Sequence, residues 1–329
     1  MLEHGGNLGD AMRRFGHARG DWLDLSTGVN PHAYPVGPID ASAWHRLPEV
    51  DPALALAAAA CYGAPSMLAL AGTQAAIQAL PRMRAPSRVV VAAPSYAEHA
   101  HHWSRYGHTL QQVAYDRLDM ALEHCDVMVV CNPNNPSGAQ LSPHTLLTWA
   151  EALGARGGWL VVDEAFIDTT PQYSVAPWSD RPGLIVLRSL GKFFGLAGAR
   201  VGAVGAAPAL LGELGELLGP WPISGPAQQI AIAALCDRQW QFGMRATLLD
   251  EGARLHALLA GQGIGARGCA LFQWWPHSEP VAFWRHMAER AIWVRLFEHG
   301  ARGIRLGLPP DAAGWQRLTQ ALEEWTRTH

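Results

Sequence analysis

Short apolar runs alternate with longer helical patterns along the first two thirds of this chain. The runs cover residues 88–93, 126–131, 159–163, 184–188 and 200–204. Alternation of this kind is typical of strands joined by crossover helices, so it predicts an α/β fold with a largely parallel sheet. Such sheets bind ligands beyond the carboxyl ends of their strands. The polar residues that follow the runs are Tyr96, Asn135, Asp163 and Ser189.

The pattern changes in the last third of the chain. A helical region over residues 226–259 leads to apolar runs near residues 271–275 and 292–296, and a final helix is expected after Pro310. We therefore predict an amino-terminal arm over residues 1–40, which contributes to the active site and to the small domain. A large domain over residues 41–235 and a smaller α+β domain over residues 236–329 follow it.

The composition of the chain limits the classes of molecule that we expect it to bind. The chain has 329 residues, 49% of them hydrophobic and 16% charged, with a formal net charge of −3. That balance gives no electrostatic reason to expect nucleic acid as a partner. No apolar stretch reaches membrane-spanning length and the first ten residues lack the features of a signal peptide, so we expect a cytoplasmic protein with no membrane partner.

Metal sites receive little support from the sequence. The five cysteines form no C-x-x-C pair, which argues against a zinc site. His99, His101 and His102 could place two imidazoles on one helical face, but no acidic or cysteine partner stands at ligand spacing. We predict an exposed helix there and no metal site.

Lys192 is the residue with the most specific chemical setting. It lies three residues after Ser189 and eight before Arg200, in the small-residue segment S-L-G-K-F-F-G-L-A-G-A-R. A lysine that forms an imine must lose its proton near neutral pH, and burial or neighbouring positive charge lowers its pKa. The segment resembles the Schiff-base segment of pyridoxal 5'-phosphate (PLP) enzymes. The alternative is a strand end and a glycine turn with an exposed lysine.

Further residues fit the parts of such a cofactor. Asp163 ends an apolar run, and a carboxylate beside a pyridine nitrogen keeps that nitrogen protonated. Asn135 is a candidate donor to the phenolate oxygen, with an ordinary Asn-Pro turn as its alternative. Tyr96 is a candidate for stacking on the ring, with a core tyrosine as its alternative.

The cofactor phosphate has its own candidates. Gly72 and Thr73 open a predicted helix, where backbone amides and a hydroxyl can bind a phosphate. Arg200 and Ser189 are the side chains expected to contact the same phosphate. An N-cap threonine is the alternative for Thr73.

Taken in chain order, these motifs resemble the fold type I aminotransferase family, near its histidinol-phosphate aminotransferase branch. The resemblance covers nearly the whole chain and includes G-T, P-S-Y, N-P-N-N-P-S-G, D-E-A-F, S-L-G-K, G-L-A-G-A-R and I-R-L-G. It implies PLP as cofactor, Lys192 as its covalent attachment and Asp163 as its partner in catalysis. It also implies a mostly parallel seven-stranded sheet in the large domain and a homodimer.

Substrate residues follow from the same resemblance. Arg305 of I-R-L-G is expected to bind a carboxylate, and Arg295 a phosphate, because a guanidinium suits both anions. A surface ion pair is the alternative for either arginine. The segments H-G-G-N and L-D-L-S-T-G-V-N-P resemble the start of L-threonine-O-3-phosphate decarboxylases. That likeness implies substrate contacts from His4, Gly28 and Asn30 and a small phosphorylated amino acid as substrate.

Three positions depart from the aminotransferase pattern. Phe166 stands where a tyrosine usually donates to the phenolate oxygen, Gly191 replaces a serine before the lysine, and Leu47 replaces a tyrosine that reaches the partner subunit. The loss of a phenolate donor alters the electronic state of the cofactor.

Three functions therefore remain open. The leading interpretation is PLP-dependent decarboxylation of L-threonine O-3-phosphate to (R)-1-amino-2-propanol O-2-phosphate for cobalamin biosynthesis. The alternatives are a histidinol-phosphate-type aminotransferase and a non-enzymatic regulator built on the same fold. The same residues serve decarboxylation and transamination, so the sequence defines the cofactor better than the reaction.

Overall fold

The computed structural model describes residues 4–49 and 52–328, and its internal contacts form two compact units. The unit that we call the small unit comprises Met1–His32, Asn135–Gly138 and Arg245–His329. The large unit comprises Ala33–Asn134 and Ala139–Met244. The functional domain boundaries expected near residues 40 and 235 stay a prediction.

Strands and helices alternate through most of the chain. The strands are β1 (Leu23–Asp24), β2 (Met67–Leu70), β3 (Arg88–Ala93), β4 (Thr109–Ala114), β5 (Val127–Cys131), β6 (Trp159–Asp163), β7 (Leu184–Ser189), β8 (Gly202–Gly205), β9 (Arg267–Cys269), β10 (Phe272–Pro276), β11 (Ile292–Trp293), β12 (Arg295–Phe297) and β13 (Gly303–Gly307). The helices are α1 (Leu8–Phe15), α2 (Ser42–His45), α3 (Pro52–Tyr62), α4 (Thr73–Ala79), α5 (Ala97–Trp103), α6 (Leu118–Ala121), α7 (Pro143–Gly154), α8 (Pro208–Leu218), α9 (Gly225–Cys236), α10 (Arg238–Gly261), α11 (Pro280–Glu289) and α12 (Ala312–Thr328).

The large unit is built on a seven-stranded sheet in the order β2-β8-β7-β6-β5-β3-β4. Neighbouring strands from β7 to β4 pair in parallel, whereas β8 runs antiparallel to both β7 and β2. Every residue of β5 and β7 is buried, which explains the unbroken apolar stretches over residues 127–131 and 184–187. The predicted mostly parallel sheet is confirmed, and each predicted apolar run corresponds to a strand.

Two strands of this sheet were absent from the sequence-based expectation. Strand β4 lies at the sheet edge and exposes four of its six residues, so its sequence lacks a continuous apolar run. Strand β2 has only four residues. Short or half-exposed strands carry a weak periodic signal, because few of their side chains must be apolar.

The small unit contains an antiparallel sheet in the order β12-β13-β10-β9. A second, parallel pair joins β1 to β11, with Leu23 opposite Ile292 and Asp24 opposite Trp293. This pairing brings an amino-terminal segment into the same unit as the carboxyl-terminal helices. Aromatic rings strengthen the attachment of α1, because Phe15 makes edge contacts with Trp22, Trp284 and Trp293.

The helical region expected over residues 226–259 is two helices, α9 and α10. They are separated at Asp237, whose backbone is non-helical and whose Oδ1 accepts a hydrogen bond from the amide of Trp240. A carboxylate that bonds an amide three residues ahead is a helix N-cap, so the break has a local cause. No helix among the described residues is both long enough and apolar enough to cross a membrane.

A buried ion-pair cluster lies beside the central strands of the large unit. Arg188 of β7 is 2% exposed and donates to Glu164 Oε2 at 2.9 Å and to Asp168 Oδ1 at 2.6 Å. Its guanidinium also lies over the Tyr62 ring, 4.0 Å from the centroid. Burial alone would lower the pKa of Arg188, but Asp168 and Glu164 outweigh it and raise that pKa. Each buried charge therefore depends on the others.

We expect Arg188→Ala to lower the free energy of unfolding by about 3–5 kcal/mol, because it leaves two buried carboxylates without their cation. Urea denaturation followed by circular dichroism measures the loss. The matched control is Arg88→Ala, which removes an arginine from an exposed pair with Asp126. That change should lower the free energy of unfolding far less, because water already solvates both groups of the exposed pair. Equal losses for the two variants would show that burial is not the cause.

Candidate active site

The carboxyl ends of parallel strands β5, β6 and β7 meet at one edge of the large sheet. Cys131 at the end of β5 pairs with Asp163 at the end of β6, and Asp163 in turn pairs with Leu187 of β7. Ser189 is the last residue of β7. The parallel register therefore gathers the predicted residues Asp163 and Ser189 at this edge, where sheets of this type bind ligands.

Asp163 is a buried carboxylate with a histidine partner. Its residue is 5% exposed, its Oδ2 lies 2.9 Å from Nε2 of His99, and its Oδ1 accepts from the amide of Ala165 at 3.0 Å. Burial alone would lower the pKa of His99, but hydrogen bonds to Asp163 and Cys131 outweigh it and raise the pKa to about 10. His99 is thus an imidazolium at neutral pH, in contact with the buried carboxyl group of Asp163.

The structure overturns one expectation here. The helix that carries His99 was expected to be exposed, but His99 is 2% exposed because its face of α5 packs on the sheet. The position of His99 beside Asp163 is therefore not evident from the sequence. The available signal was its spacing three residues after Tyr96, the N-cap residue of α5, which lets the two rings meet. Ligand atoms of His99, Cys131 and Asp163 lie within 4.8 Å of one another, and the expected lack of a metal site stays a prediction.

Tyr96 immediately precedes α5 and packs beside this pair. Its ring makes an edge contact with His99, with centroids 6.0 Å apart. Its hydroxyl donates to Oε1 of Gln74 at 3.4 Å, and Gln74 donates to Oε2 of Glu98 at 2.7 Å. Burial, with the nearby carboxylates of Glu98 and Asp163, raises the pKa of Tyr96. The tyrosine is therefore a neutral, fixed ring near the carboxylate.

Gly72 and Arg200 form a second cluster at the start of α4. Gly72 has a φ of +74°, and a Cβ on it would lie 2.7 Å from Nη2 of Arg200. A Cβ on Gly202 would lie 2.7 Å from the amide nitrogen of Thr73. Only glycine permits these close approaches. The backbone of residues 72–73 and the Arg200 guanidinium are brought together, an arrangement suited to a phosphate.

Lys192 follows β7 by three residues and is half-buried. Its Nζ lies 5.5 Å from the centroid of the Phe166 ring, which is itself 5% exposed. The chain contains 25 lysines and arginines, and Lys192 is its only lysine. This count was a signal that the sequence analysis did not use. All the other residues of this basic set are arginines, so Lys192 carries the only primary side-chain amine of the chain.

The segment around Lys192 also accounts for Gly191. A Cβ at this residue would lie 3.2 Å from the Cα of Ala197, closer than almost all such contacts. The amide of Gly191 donates to Oγ of Ser189 at 3.3 Å. A serine in place of Gly191 would press against Ala197, which explains why the chain departs from the family pattern here.

In the small unit, Arg305 is the centre of a separate group. The residue is 6% exposed, and it donates from Nη1 to Oδ1 of Asn135 at 2.6 Å and from Nη2 to the carbonyl of Ser26 at 2.9 Å. The structure thus places Asn135 with Arg305 in the small unit rather than in the large unit with Lys192. The role of Asn135 toward a phenolate oxygen stays a prediction.

Arg295 lies directly opposite Arg305 in the pairing of β12 with β13. Residues that are opposite each other in an antiparallel pair share one face of the sheet. Burial and the charge of Arg295 lower the pKa of Arg305 to about 10. No carboxylate among the described residues pairs with Arg305. Two like charges are therefore held on one face, which favours the binding of anions there.

The amino-terminal candidates lie in the same unit. His4 is exposed and Gly28 is buried. Asn30 is 2% exposed, and its Oδ1 accepts from the amide of His32 at 2.8 Å. This local bond shapes the turn at residues 30–32. Their contacts with a substrate stay predictions.

Comparison with known proteins agrees with these features. The aminotransferase class I and II family model matches residues 25–321. A Pseudomonas aeruginosa protein named threonine-phosphate decarboxylase is 52% identical over 324 residues, which cover 98% of this chain and 97% of the relative. A Sinorhizobium protein of the same name is 41% identical over 98% of this chain and 97% of its own length. A histidinol-phosphate aminotransferase of Serratia proteamaculans is 32% identical over 68% of this chain and 65% of its own length.

Solved structures show the same fold. The histidinol-phosphate aminotransferase of Sinorhizobium meliloti in complex with pyridoxal-5'-phosphate superposes with a TM-score of 0.81, at 22% identity, over 99% of this chain and 96% of that one. The L-threonine-O-3-phosphate decarboxylase of Porphyromonas gingivalis gives a TM-score of 0.77 at 20% identity, over 92% of this chain and 99% of that one. The predicted resemblance is confirmed. The chain belongs to the aminotransferase class I and II family and, within it, to the group of the threonine-phosphate decarboxylases.

Proposed function

We propose that this protein is a PLP-dependent carboxy-lyase that converts L-threonine O-3-phosphate to (R)-1-amino-2-propanol O-2-phosphate in cobalamin biosynthesis. The observation that carries the proposal is the opposed pair Arg295 and Arg305 on one face of the small-unit sheet. A substrate with both a phosphate and a carboxylate supplies one anion for each guanidinium. The near-full-length likeness to threonine-phosphate decarboxylases supports the same substrate.

The residues of the large unit fit PLP. The primary amine of Lys192 is the one side-chain amine that the sequence offers for covalent attachment. Gly72 leaves the room that a Cβ would fill beside Arg200, and Thr73 and Ser189 add hydroxyl groups for a phosphate. Tyr96 offers a ring for stacking and Asp163 a buried carboxylate for a pyridine nitrogen. When bound, PLP supplies a sink for the electron pair of a bond broken at Cα.

Asp163 and His99 control one proton in this scheme. The imidazolium of His99 lies 2.9 Å from the buried carboxyl group of Asp163. An ionised Asp163 keeps a proton on the pyridine nitrogen, which makes the ring a better acceptor of electrons. The polar pair thus tunes the cofactor without contacting the substrate.

In decarboxylation, the bond between Cα and the carboxylate carbon breaks and carbon dioxide leaves. Arg305 orients the carboxylate, Arg295 and His4 hold the phosphate, and Lys192 returns a proton to Cα. Phe166 places an apolar ring next to Nζ of Lys192. Because Phe166 has no hydroxyl, it gives the phenolate oxygen of the cofactor no hydrogen bond. We also propose that Asn135 donates to the phenolate oxygen of the cofactor. Gly28 and Asn30 are the further residues proposed to contact the substrate.

A histidinol-phosphate-type aminotransferase is the second candidate. The observation that favours it is that Lys192, Asp163 and Arg305 serve transamination as well as decarboxylation. The partial 32% match to a histidinol-phosphate aminotransferase is consistent with it. A transaminase consumes a keto acid and releases no carbon dioxide, so the products separate the two candidates.

We also propose a homodimer. Among the exposed large apolar side chains of the large unit are Trp44 (66% exposed), Leu47 (68%) and Trp221 (54%). Leu47 and Trp221 line one depression together with Pro48 and Pro220. Exposed apolar clusters of this kind mark protein interfaces. Leu47 occupies the position at which the family resemblance places a contact with the partner subunit.

We further propose that the protein works in the cytoplasm. All five cysteines lie in the described part of the chain and none forms a disulfide. Cys236 is exposed as a free thiol, which suits a reducing compartment.

Wild-type protein loaded with PLP should release carbon dioxide from L-threonine O-3-phosphate at the same rate with and without 2-oxoglutarate. Lys192→Ala should lower this rate at least about a thousandfold, because the attachment and the proton donor are lost together. Borohydride reduction followed by peptide mass spectrometry should attach the cofactor to Lys192 in the wild type. Glutamate formation from histidinol phosphate and 2-oxoglutarate, without carbon dioxide release, would establish the aminotransferase instead.

Arg295→Ala should lower kcat/KM for L-threonine O-3-phosphate by about a thousandfold, because the phosphate loses its charged partner. Activity on L-threonine, which has no phosphate, should change little. Arg302→Ala is the matched control, since Arg302 is exposed in the same unit and donates to the carbonyl of Ser278. A similar loss on both substrates would contradict a phosphate-binding role for Arg295.

His99 should make the stability of the apoprotein depend on pH. Its folded pKa of about 10 lies above the unfolded value of 6.5, so its contribution is complete below pH 6.5 and is lost as the pH rises to about 10. We expect wild type to lose up to about 4 kcal/mol more than His99→Gln across this range in urea titrations. Parallel pH profiles for the two proteins would show that His99 is not charged in the folded state.

A further inference from the structure

Two amino-terminal segments of the small unit, residues 4–7 and 24–27, bind each other through Ser26. Ser26 is 1% exposed, and its Oγ donates to Oδ1 of Asp24 at 2.6 Å. The same Oγ accepts from the amide of Gly6 at 2.7 Å. The amide of Ser26 also donates to Oδ1 of Asp24, at 2.9 Å. The hydroxyl is thus used as both donor and acceptor, and Asp24 fixes its direction.

Close backbone contact reinforces this connection. A Cβ on Gly5 would overlap the carbonyl oxygen of Ser26, so the contact requires glycine. Gly6 has a φ of +83°, which also favours glycine. Asn7 is the N-cap residue of α1, since its Oδ1 accepts from the amide of Asp10 at 3.2 Å. The two glycines of the segment H-G-G-N therefore allow its backbone to pack closely against Ser26.

The carbonyl oxygen that Gly5 approaches is the one to which Arg305 donates at 2.9 Å. Segment 24–27 is also fixed to the end of β13, because the amide of Gly307 donates to the carbonyl of Leu25 at 2.7 Å. The carbonyl of Ser26 therefore contacts both Arg305 and the amino-terminal segment. Its hydroxyl contacts the amino-terminal segment as well. His4 is covalently next to Gly5, so its backbone position depends on the same residue.

We infer that Ser26, held by Asp24, is a positioning residue that sets His4 at a fixed distance from Arg305. This inference rests on the proposed function, in which His4 contacts the phosphate and Arg305 the carboxylate of one substrate. A fixed distance between the two groups selects substrates by the separation of their anions. Ser26 itself does not contact the substrate; it acts through the two residues that it positions.

The first test is kinetic and uses the PLP-loaded enzyme with L-threonine O-3-phosphate. Ser26→Ala and Asp24→Ala should raise KM about tenfold and leave kcat within about twofold, because binding geometry is loosened and the reacting groups remain. Asp24→Asn should stay near wild type, since its amide oxygen still accepts from Ser26. The matched control is Ser104→Ala, an exposed serine of the large unit whose Oγ donates to the carbonyl of His101.

The second test does not depend on the substrate. Hydrogen exchange of the peptide that contains Gly6, measured by mass spectrometry on the same PLP-loaded proteins, reports whether residues 4–7 stay docked. Exchange should be about tenfold faster in Ser26→Ala and in Asp24→Ala, and unchanged in Asp24→Asn and Ser104→Ala. Gly5→Ala should also speed exchange, because its Cβ blocks the contact while both Ser26 hydrogen-bond partners remain.

Unchanged exchange in Ser26→Ala, or faster exchange with an unchanged KM, would overturn the inference. A loss of kcat with no change in KM would also overturn it, because that result assigns Ser26 to the chemical step. If the wild-type enzyme releases no carbon dioxide, the proposed function fails. The exchange measurements then decide on their own whether Ser26 positions the amino-terminal segment.

Discussion

The buried guanidinium of Arg305 is held by neutral oxygens, the side-chain oxygen of Asn135 and the carbonyl of Ser26. Arg188 is buried to a similar degree but has two carboxylates as partners. The difference separates a structural arginine from a functional one, because a buried charge is stable only when an opposite charge reaches it. Arg188 finds that charge within the fold. For Arg305, whose pKa is lowered by burial and by Arg295, the carboxylate of the proposed substrate would supply it.

The large unit has a buried polar pair of its own, formed by Asp163 and His99. Asp163 ends β6 at the edge where parallel strands finish, and the imidazolium of His99 lies 2.9 Å from its carboxyl group. Near them, Gly72 and Arg200 provide a phosphate-binding arrangement, and Lys192 provides the single lysine amine of the chain. The large unit therefore carries the residues proposed for the cofactor, whereas the small unit carries those proposed for the anions of a substrate.

Much of this could be predicted from the sequence, and the reason is physical. Strands β3, β5, β6 and β7 are buried over most of their length, so each contains an unbroken apolar stretch that is visible as a run. Polar residues directly after such runs mark the ligand-binding edge, which is how Asp163 and Ser189 were found. Strand β4 was missed because one edge of the sheet is open to water. The separation of α9 from α10 was missed because a single capping residue, Asp237, causes it.

The sequence by itself determined the fold class, the family and the chemical type of most site residues, because strand burial and glycine turns leave local patterns in the chain. Only the tertiary structure decided which side chains meet. His99 reaches Asp163 across 64 residues, and Arg305 reaches Ser26 across 279. Contacts over such separations depend on strand register and helix packing, which no local pattern encodes. The charge of His99 and the positioning role inferred for Ser26 therefore follow from the folded chain alone.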